Sequence, residues 1–219
     1  MSAPVLWTRP ERNARPNPRL AAKRICEVVI AACLLLLLTP VLLVIATLIV
    51  IESRGAVLFR QVRVGRHGRP FLICKFRTMV SDASRLGDNI SPRNDPRITR
   101  VGRFLRRSCL DELPQLLNIL TGDMALVGPR PETPEFVRLY QPSDLRVLSV
   151  RPGVMGPSTL AGMGEEDRLA QAADPLRLYV SEILPERVRA DLGYLDDWSL
   201  GRDARLVVAQ VRVILRRLR

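Results

Sequence analysis

The 219-residue sequence predicts an α+β protein that is mostly helical, with a re-entrant membrane helix broken at Pro40, interfacial amphipathic helices and a small β-hairpin. An uncharged apolar run from Val28 to Ile51 is long enough for a membrane helix. Segments 56–65 and 71–79 have strand-like composition on either side of a turn-rich stretch. Two later segments, the one after Asp95-Pro96 and residues 203–219, carry apolar residues at helical spacing with arginines on the opposite face.

The charge balance favours an anionic partner. Lys and Arg number 34 against 22 Asp and Glu, a net charge of +12. Such an excess suits an anionic membrane face, a phosphorylated substrate or nucleic acid. Aromatic residues are only 5% of the chain, so few side chains could stack on bases, and we expect no nucleic-acid partner.

The same composition limits the kinds of metal site that the chain could form and the redox state expected of its cysteines. The only histidine is His67, and the four cysteines form no C-x-x-C pair, so we expect reduced cysteines in a chain that faces the cytoplasm. Any metal would be bound by oxygen, which favours Mg²⁺, with Mn²⁺ also possible.

The apolar run has two features that argue against a simple transmembrane span. Thr39 and Pro40 stand in its middle, and proline removes a backbone donor and kinks or breaks a helix. Both flanks are basic, and basic flanks favour the cytoplasmic side. A helix that enters, breaks at Pro40 and returns keeps both flanks inside. An ordinary kinked span remains the alternative.

Four features outline the helices of the remaining chain. Asp95-Pro96 predicts a helix start, with Asp as the N-cap and Pro at the first position. The helix expected after Pro114 would place Leu116, Leu117 and Leu120 in a core. Leu184-Pro185 should break a helical stretch, and 203–219 should form a last amphipathic helix with several arginines.

Asp111 and Glu112 are the strongest candidates for chemistry. They are adjacent carboxylates between a run of arginines upstream and Arg130 downstream. Arginines keep a neighbouring carboxylate ionised and can also hold phosphate, so an Asp in this setting is a candidate nucleophile for phosphoryl transfer. The alternative is an acidic pair that complements a helix dipole at its start.

Several blocks in order resemble one family, the monotopic bacterial sugar transferases, which are polyprenyl-phosphate phosphoglycosyl transferases. Similar blocks are Lys23-Arg24, Phe59-Arg60-Gln61, Lys75-Phe76-Arg77-Thr78-Met79, Leu110-Asp111-Glu112-Leu113-Pro114-Gln115, Gly122-Asp123-Met124, Gly128-Pro129-Arg130-Pro131-Glu132, Arg151-Pro152-Gly153 and Asp191-Leu192-Gly193-Tyr194. Long blocks in a fixed order are far more specific than one short pattern.

The resemblance implies a reaction and a set of roles. The family moves a sugar phosphate from a nucleotide diphospho-sugar, here expected to be a UDP-sugar, to polyprenyl phosphate in the first membrane step of cell-surface glycan synthesis. Asp111 would be the nucleophile that forms a phosphosugar intermediate, and Glu112 would help to bind magnesium. The predicted substrate-binding residues are Lys75, Arg77, Arg106, Arg130 and Arg151.

The resemblance also implies a location and an organisation. The enzyme would sit in the bacterial cytoplasmic membrane with its active site facing the cytoplasm. A basic arm (1–19) would precede the re-entrant helix (20–54), with Thr39 and Pro40 at its break, and a catalytic domain with interfacial helices (55–219). Polyprenyl phosphate, the nucleotide sugar and membrane lipid are the expected partners, and an oligomer is possible.

One stretch departs from the family pattern. Many members follow the Pro-Gly pair with Ile-Thr-Gly-Trp-Ala-Gln, whereas residues 154–162 here contain neither Trp nor Gln. The sugar and nucleotide therefore stay open. Two other classes also stay open: a membrane-anchored basic protein that binds nucleic acid or anionic lipid without catalysis, and a structural membrane adaptor. The first predicts that Asp111 and Glu112 are dispensable and that salt weakens binding steeply, and the second predicts no catalysis.

Overall fold

The computed structural model describes residues 18–83 and 90–217, which form helices around two small sheets. The predicted mostly helical α+β class is confirmed. The expected N-terminal arm lies almost entirely outside the described residues.

The first helix, α1 (Pro18–Glu52), contains the whole apolar run. Its helical conformation continues through Pro40, so the proline interrupts the hydrogen-bond ladder without ending the helix. The Thr39 hydroxyl donates to the Leu35 carbonyl at 2.7 Å. In the described chain α1 is the one helix long and apolar enough to cross a membrane, and only 11% of its most apolar window is buried by protein. That exposure distinguishes it from the core helix of a soluble protein.

Both halves of α1 pack on the same folded domain. Before Pro40, Ala31 contacts a core that includes Ile73, Leu116 and Ile119. After Pro40, Ile45 and Ile49 pack with Phe76 and Leu105. At the far end, the Glu52 carboxylate accepts from the backbone amides of Arg100 and Val101, at 2.6 and 2.8 Å.

The predicted hairpin is confirmed. Strands β1 (Leu58–Val64) and β2 (Pro70–Phe76) pair antiparallel, from Leu58 opposite Phe76 to Val64 opposite Pro70. A second pair was not predicted: β3 (Ala125–Val127) lies parallel to β4 (Gly153–Met155). The backbones meet closely there, since a Cβ on Gly153 would lie 2.1 Å from the Gly128 nitrogen. Glycine is therefore required at position 153.

The expected helix start at Asp95-Pro96 is wrong. Helix α2 spans Arg100–Ser108, and the Thr99 side chain caps it by accepting from the Gly102 amide. The Asp95 carboxylate instead accepts hydrogen bonds from Arg97 and Ser91.

Helix α3 (Gln115–Thr121) follows Pro114 as expected, but its core face differs from the prediction. Leu116 and Ile119 are buried, whereas Leu117 and Leu120 are exposed. A seven-residue helix that packs on α1 and β2 buries only one narrow stripe.

The last part of the chain is helical. Helices α4 (Pro134–Val137), α5 (Pro157–Ala161), α6 (Glu165–Gln171) and α7 (Pro175–Leu178) are short, and α8 (Leu184–Asp196) and α9 (Leu200–Arg217) are longer. The predicted break at Leu184-Pro185 is wrong, because a π-helical turn over Tyr179–Ile183 runs directly into α8. Helix α9 is amphipathic, with Val208, Val211 and Leu215 exposed.

Candidate active site

Asp111 and Glu112 lie in a tight turn between two helices. Helix α2 ends at Ser108, Cys109 adopts the left-handed region at φ 56°, and a 3₁₀ turn over Leu110–Glu112 follows. Helix α3 begins only at Gln115, after Pro114. The two carboxylates therefore precede α3 by a turn and are not simply the acidic first residues of that helix.

Glu112 is held by two cations from distant segments. The Lys75 ammonium on β2 donates to Glu112 Oε1 at 2.6 Å, and Arg130 Nη2 donates to the same oxygen at 3.0 Å. Burial alone would raise the pKa of Glu112, but the charges of Lys75 and Arg130 and their hydrogen bonds outweigh it and lower the pKa. Glu112 is thus a fixed anion whose second carboxylate oxygen receives no hydrogen bond from the described residues.

Asp111 has a different environment from its neighbour. Its carboxylate is buried, with 9% of the residue exposed, and it accepts no hydrogen bond from the described residues. Burial and the negative charge of Glu112 raise its pKa, against the opposing charges of Lys75, Arg106 and Arg130. A desolvated carboxylate with unengaged lone pairs beside fixed cations has the properties of a nucleophile toward phosphorus.

The predicted substrate-binding residues divide into two groups. Lys75 and Arg130 contact Glu112 directly, and Arg106 on α2 contributes positive charge at Asp111. Arg106 is oriented by hydrogen bonds to the hydroxyls of Thr78 and Ser91, at 2.9 and 3.0 Å.

Arg77 and Arg151 are engaged elsewhere. The Arg77 guanidinium is buried and donates to the carbonyls of Ser53 and Arg54, directly after α1. Arg151 donates to the Gly122 carbonyl at the end of α3. Neither contacts Asp111 or Glu112 in the described structure, and their role in substrate binding stays a prediction.

Sequence reasoning missed a buried polar network beside Arg130. Glu132 accepts from Arg187 at 2.6 Å and from the Tyr179 hydroxyl at 2.9 Å. Asp191 accepts from the Arg130 backbone amide at 3.2 Å. In the sequence, Asp191 stands out only as part of a motif. The one sign of its role was an acidic residue at a position that the helix buries.

The expected metal, Mg²⁺, would bind to carboxylate oxygens of this site. No group of three His, Cys, Asp or Glu side chains that could hold a metal occurs within the described ranges. Magnesium in phosphate chemistry commonly uses only one or two carboxylates, with substrate oxygens and water completing its shell. Glu112, the predicted ligand, fits that requirement, because its second carboxylate oxygen receives no hydrogen bond from the described residues.

Comparison with known proteins places the chain in a family. The family model described as "Bacterial sugar transferase" matches residues 18–217. The chain is 39% identical over 220 residues to a UDP-glucose:undecaprenyl-phosphate glucose-1-phosphate transferase of Caulobacter vibrioides, covering 93% of this chain and 74% of that protein. It is 39% identical over 194 residues to the protein of the same description from Escherichia coli K12, covering 86% of this chain and 39% of the relative.

The name of a third relative contains a different sugar donor. The chain is 36% identical over 204 residues to a UDP-N-acetylgalactosamine-undecaprenyl-phosphate N-acetylgalactosaminephosphotransferase of Aeromonas hydrophila, covering 91% of this chain and 45% of the relative. The chain thus spans less than half the length of two of these three relatives. The family match over nearly all described residues and the carboxylate site lead to one conclusion: the chain belongs to the bacterial sugar transferase family.

Proposed function

We propose that this chain moves a sugar 1-phosphate from a UDP-sugar to a polyprenyl phosphate and releases UMP, through a covalent intermediate on Asp111. The observation that carries the proposal is a buried Asp111 that accepts no hydrogen bond from the described residues, next to a Glu112 fixed by Lys75 and Arg130. Relatives described as undecaprenyl-phosphate sugar phosphotransferases support the same reaction class.

The first step breaks the diphosphate of the donor. A carboxylate oxygen of Asp111 attacks the phosphorus that bears the sugar, and the bond from that phosphorus to the bridging oxygen breaks. The bridging oxygen leaves with its electron pair as part of UMP, and an acyl phosphate that carries the sugar remains on Asp111. The charges of Arg106 and Arg130 act on Asp111, so both side chains would stabilise the charge that develops on the phosphate oxygens.

The second step regenerates the enzyme. An oxygen of the polyprenyl phosphate attacks the same phosphorus, and the bond from phosphorus to the Asp111 oxygen breaks. The carboxylate is released, and a diphosphate links the lipid to the sugar. Two displacements in turn let a soluble donor and a lipid acceptor use one site at different times.

Each charged residue of the site has a task in this scheme. Lys75 and Arg130 fix the orientation of Glu112, which would hold Mg²⁺ with the diphosphate oxygens. When bound, the metal supplies neutralisation of charge on the leaving phosphate. We expect a chelator to abolish turnover and added Mg²⁺ or Mn²⁺ to restore it.

The contacts of α1 support a re-entrant path with the active site on the cytoplasmic side. A transmembrane span would place its ends on opposite faces of the bilayer. Here Arg24 donates to the carbonyls of Ile119 and Met124, and Glu52 caps the start of α2, so both ends are bonded to one folded domain. A domain that lies on one side of the membrane holds both ends on that side.

The decisive experiment supplies donor without acceptor. The native protein, reconstituted in nanodiscs with UDP-glucose or UDP-N-acetylgalactosamine, should release at most one UMP per active site. A peptide that contains Asp111 should gain the mass of the sugar phosphate. Asp111→Asn should show neither signal and no turnover when polyprenyl phosphate is added.

Other outcomes separate the alternatives. Turnover with acceptor but no adduct and no UMP without acceptor would overturn the covalent step, leaving direct attack by the lipid phosphate. Retained activity in Asp111→Asn and Glu112→Gln would refute the assignment of this site.

A further inference from the structure

One face of helix α8 carries three polar side chains that point to the same neighbouring segment. Arg187, Asp191 and Tyr194 are spaced four and three residues apart, which places them on one side of a helix. Asp191 and Tyr194 are buried, although α8 as a whole is polar. A buried polar face needs hydrogen-bonding partners.

Two of these side chains, Arg187 and Asp191, find their partners in the segment that carries Arg130, residues 127–132, which begins at the last residue of β3. The Tyr194 hydroxyl donates its proton to Asp203 at 2.6 Å, and the Val127 carbonyl, 3.5 Å from that hydroxyl, accepts instead from Lys23 on α1 at 2.9 Å. Asp191 Oδ2 accepts from the Arg130 amide at 3.2 Å. Arg187 donates to Glu132 at 2.6 Å. The segment is therefore bonded to α8 at its middle and its end, and to α1 at its start.

The middle contact bears most directly on the site. Arg130 stands between Pro129 and Pro131, which have fixed φ angles and no amide hydrogen, so Arg130 supplies the one backbone donor of this tripeptide. That donor bonds to Asp191, while the guanidinium of the same residue bonds to Glu112 at 3.0 Å. The second Asp191 oxygen accepts from the Ser158 amide at 3.3 Å, which ties the segment to the start of α5.

We propose that Asp191 is a positioning residue that sets the place of Arg130 against Glu112, and does not itself touch the substrate. The proposal rests on the proposed phosphoglycosyl transfer for its effect on turnover. The placement of Arg130 can also be measured without any substrate.

Amide hydrogen exchange tests that placement directly. In a peptide covering residues 128–131, Arg130 contributes the only amide beyond the terminal residue, so the peptide reports on one hydrogen bond. Asp191→Ala should accelerate exchange there by about tenfold, as expected for loss of a buried hydrogen bond. Asp191→Asn keeps one acceptor oxygen and should restore much of the protection.

Asp196→Asn is the matched control. Asp196 lies on the same helix, but its carboxylate is exposed and pairs with Arg146, so exchange at Arg130 should not change. Unchanged Arg130 exchange in Asp191→Ala would overturn the proposal. Acceleration spread over the whole domain in both the Ala and the Asn variants would also overturn it, because Asp191 would then act through fold stability alone.

A double-mutant cycle tests the link to turnover. If Asp191 acts through Arg130, adding Asp191→Ala to Arg130→Gln should lower the turnover rate no further, while its effect in an Arg106→Gln background should be independent and multiplicative. Multiplicative losses in both backgrounds would refute the assignment. A native protein that transfers no sugar phosphate would refute the proposed function, whereas the exchange experiment would still decide whether Asp191 places Arg130.

Discussion

Replacing Lys75 with Met should destabilise the folded protein, because it leaves the buried Glu112 carboxylate without one of its cation partners. Lys75 and Glu112 are 2.6 Å apart, and their side chains are only 18% and 14% exposed. The substitution keeps the length and much of the packing of the side chain but removes the ammonium. Glu112 then remains a buried anion with Arg130 as its one remaining direct cation partner among the described residues.

The size of the effect follows from burial. Breaking a buried ion pair by removing one partner costs about 3–5 kcal/mol, whereas a solvent-exposed pair contributes about 0–1 kcal/mol. Because Arg130 still neutralises part of the Glu112 charge, we expect about 2–3 kcal/mol for Lys75→Met. At about 2–4 °C per kcal/mol for a chain of this size, the Tm should fall by roughly 4–12 °C.

The assay is thermal unfolding of the purified protein in nanodiscs, with Arg146→Met as the matched control. Arg146 and Asp196 are also 2.6 Å apart, but their side chains are 61% and 59% exposed. The control should lower the Tm by less than about 4 °C. Adding Glu112→Gln to Lys75→Met should recover much of the lost stability, because a neutral amide replaces the unpaired anion.

The pH dependence gives a second readout with a defined sign. The cations lower the pKa of Glu112 below its ordinary value of 4.5, so the stabilisation is present above pH 4.5 and is lost as the pH falls further. Asp111, whose pKa is raised to about 6 by burial, also faces Lys75, so the difference between native protein and Lys75→Met should shrink as the pH falls, first as Asp111 takes up a proton and then as Glu112 does. Equal Tm losses in Lys75→Met and Arg146→Met, or no recovery with Glu112→Gln, would refute the reasoning.

Three further predictions concern residues outside the carboxylate pair. Arg77→Met should lower the Tm, because it breaks the contacts to Ser53 and Arg54. Arg106→Gln should lower turnover with a smaller change in Tm. The reverse pattern would contradict these two roles. Exchanging Arg212 and Arg216, which lie on the exposed part of α9, for Gln should weaken binding to anionic vesicles in flotation assays. Unchanged flotation would contradict a position of α9 on the membrane surface. Pro40→Ala should straighten α1 and shift cysteine labelling near residue 60 toward the opposite side of the membrane, so same-side labelling in both forms would argue against a determining role for Pro40.

Much of the fold could be predicted from local features of the sequence. The apolar run, its proline and the hairpin were predictable because each depends on residues close in sequence. The start of α2 was not, since Asp95 has the composition of an N-cap but its carboxylate is bound by Arg97, and Thr99 caps the helix. The three-residue strands β3 and β4 are too short to show any periodicity.

The site was predictable in its centre and less so at its margins. Asp111 and Glu112 are recognisable from their basic surroundings and from the family resemblance. The sequence could not separate Lys75 from Arg77, which are two residues apart, because only the fold directs one to Glu112 and the other to the end of α1. The role of Asp191 depends on the face of α8 that is buried, and this is set by tertiary packing.

We expect the course of α2 to set the position of the site relative to the membrane. This helix exposes Phe104 together with Arg103 and Arg107, the combination that suits the headgroup region of a bilayer. It packs against α1 and α9 and ends directly in the turn that holds Asp111. A polyprenyl phosphate presents its reactive group at the headgroup level, since its chain is buried in the bilayer. The proposed nucleophile, one turn beyond this helix, could then meet that phosphate without the lipid leaving the membrane, which would explain why an enzyme with a soluble donor builds its active site on a membrane-surface helix.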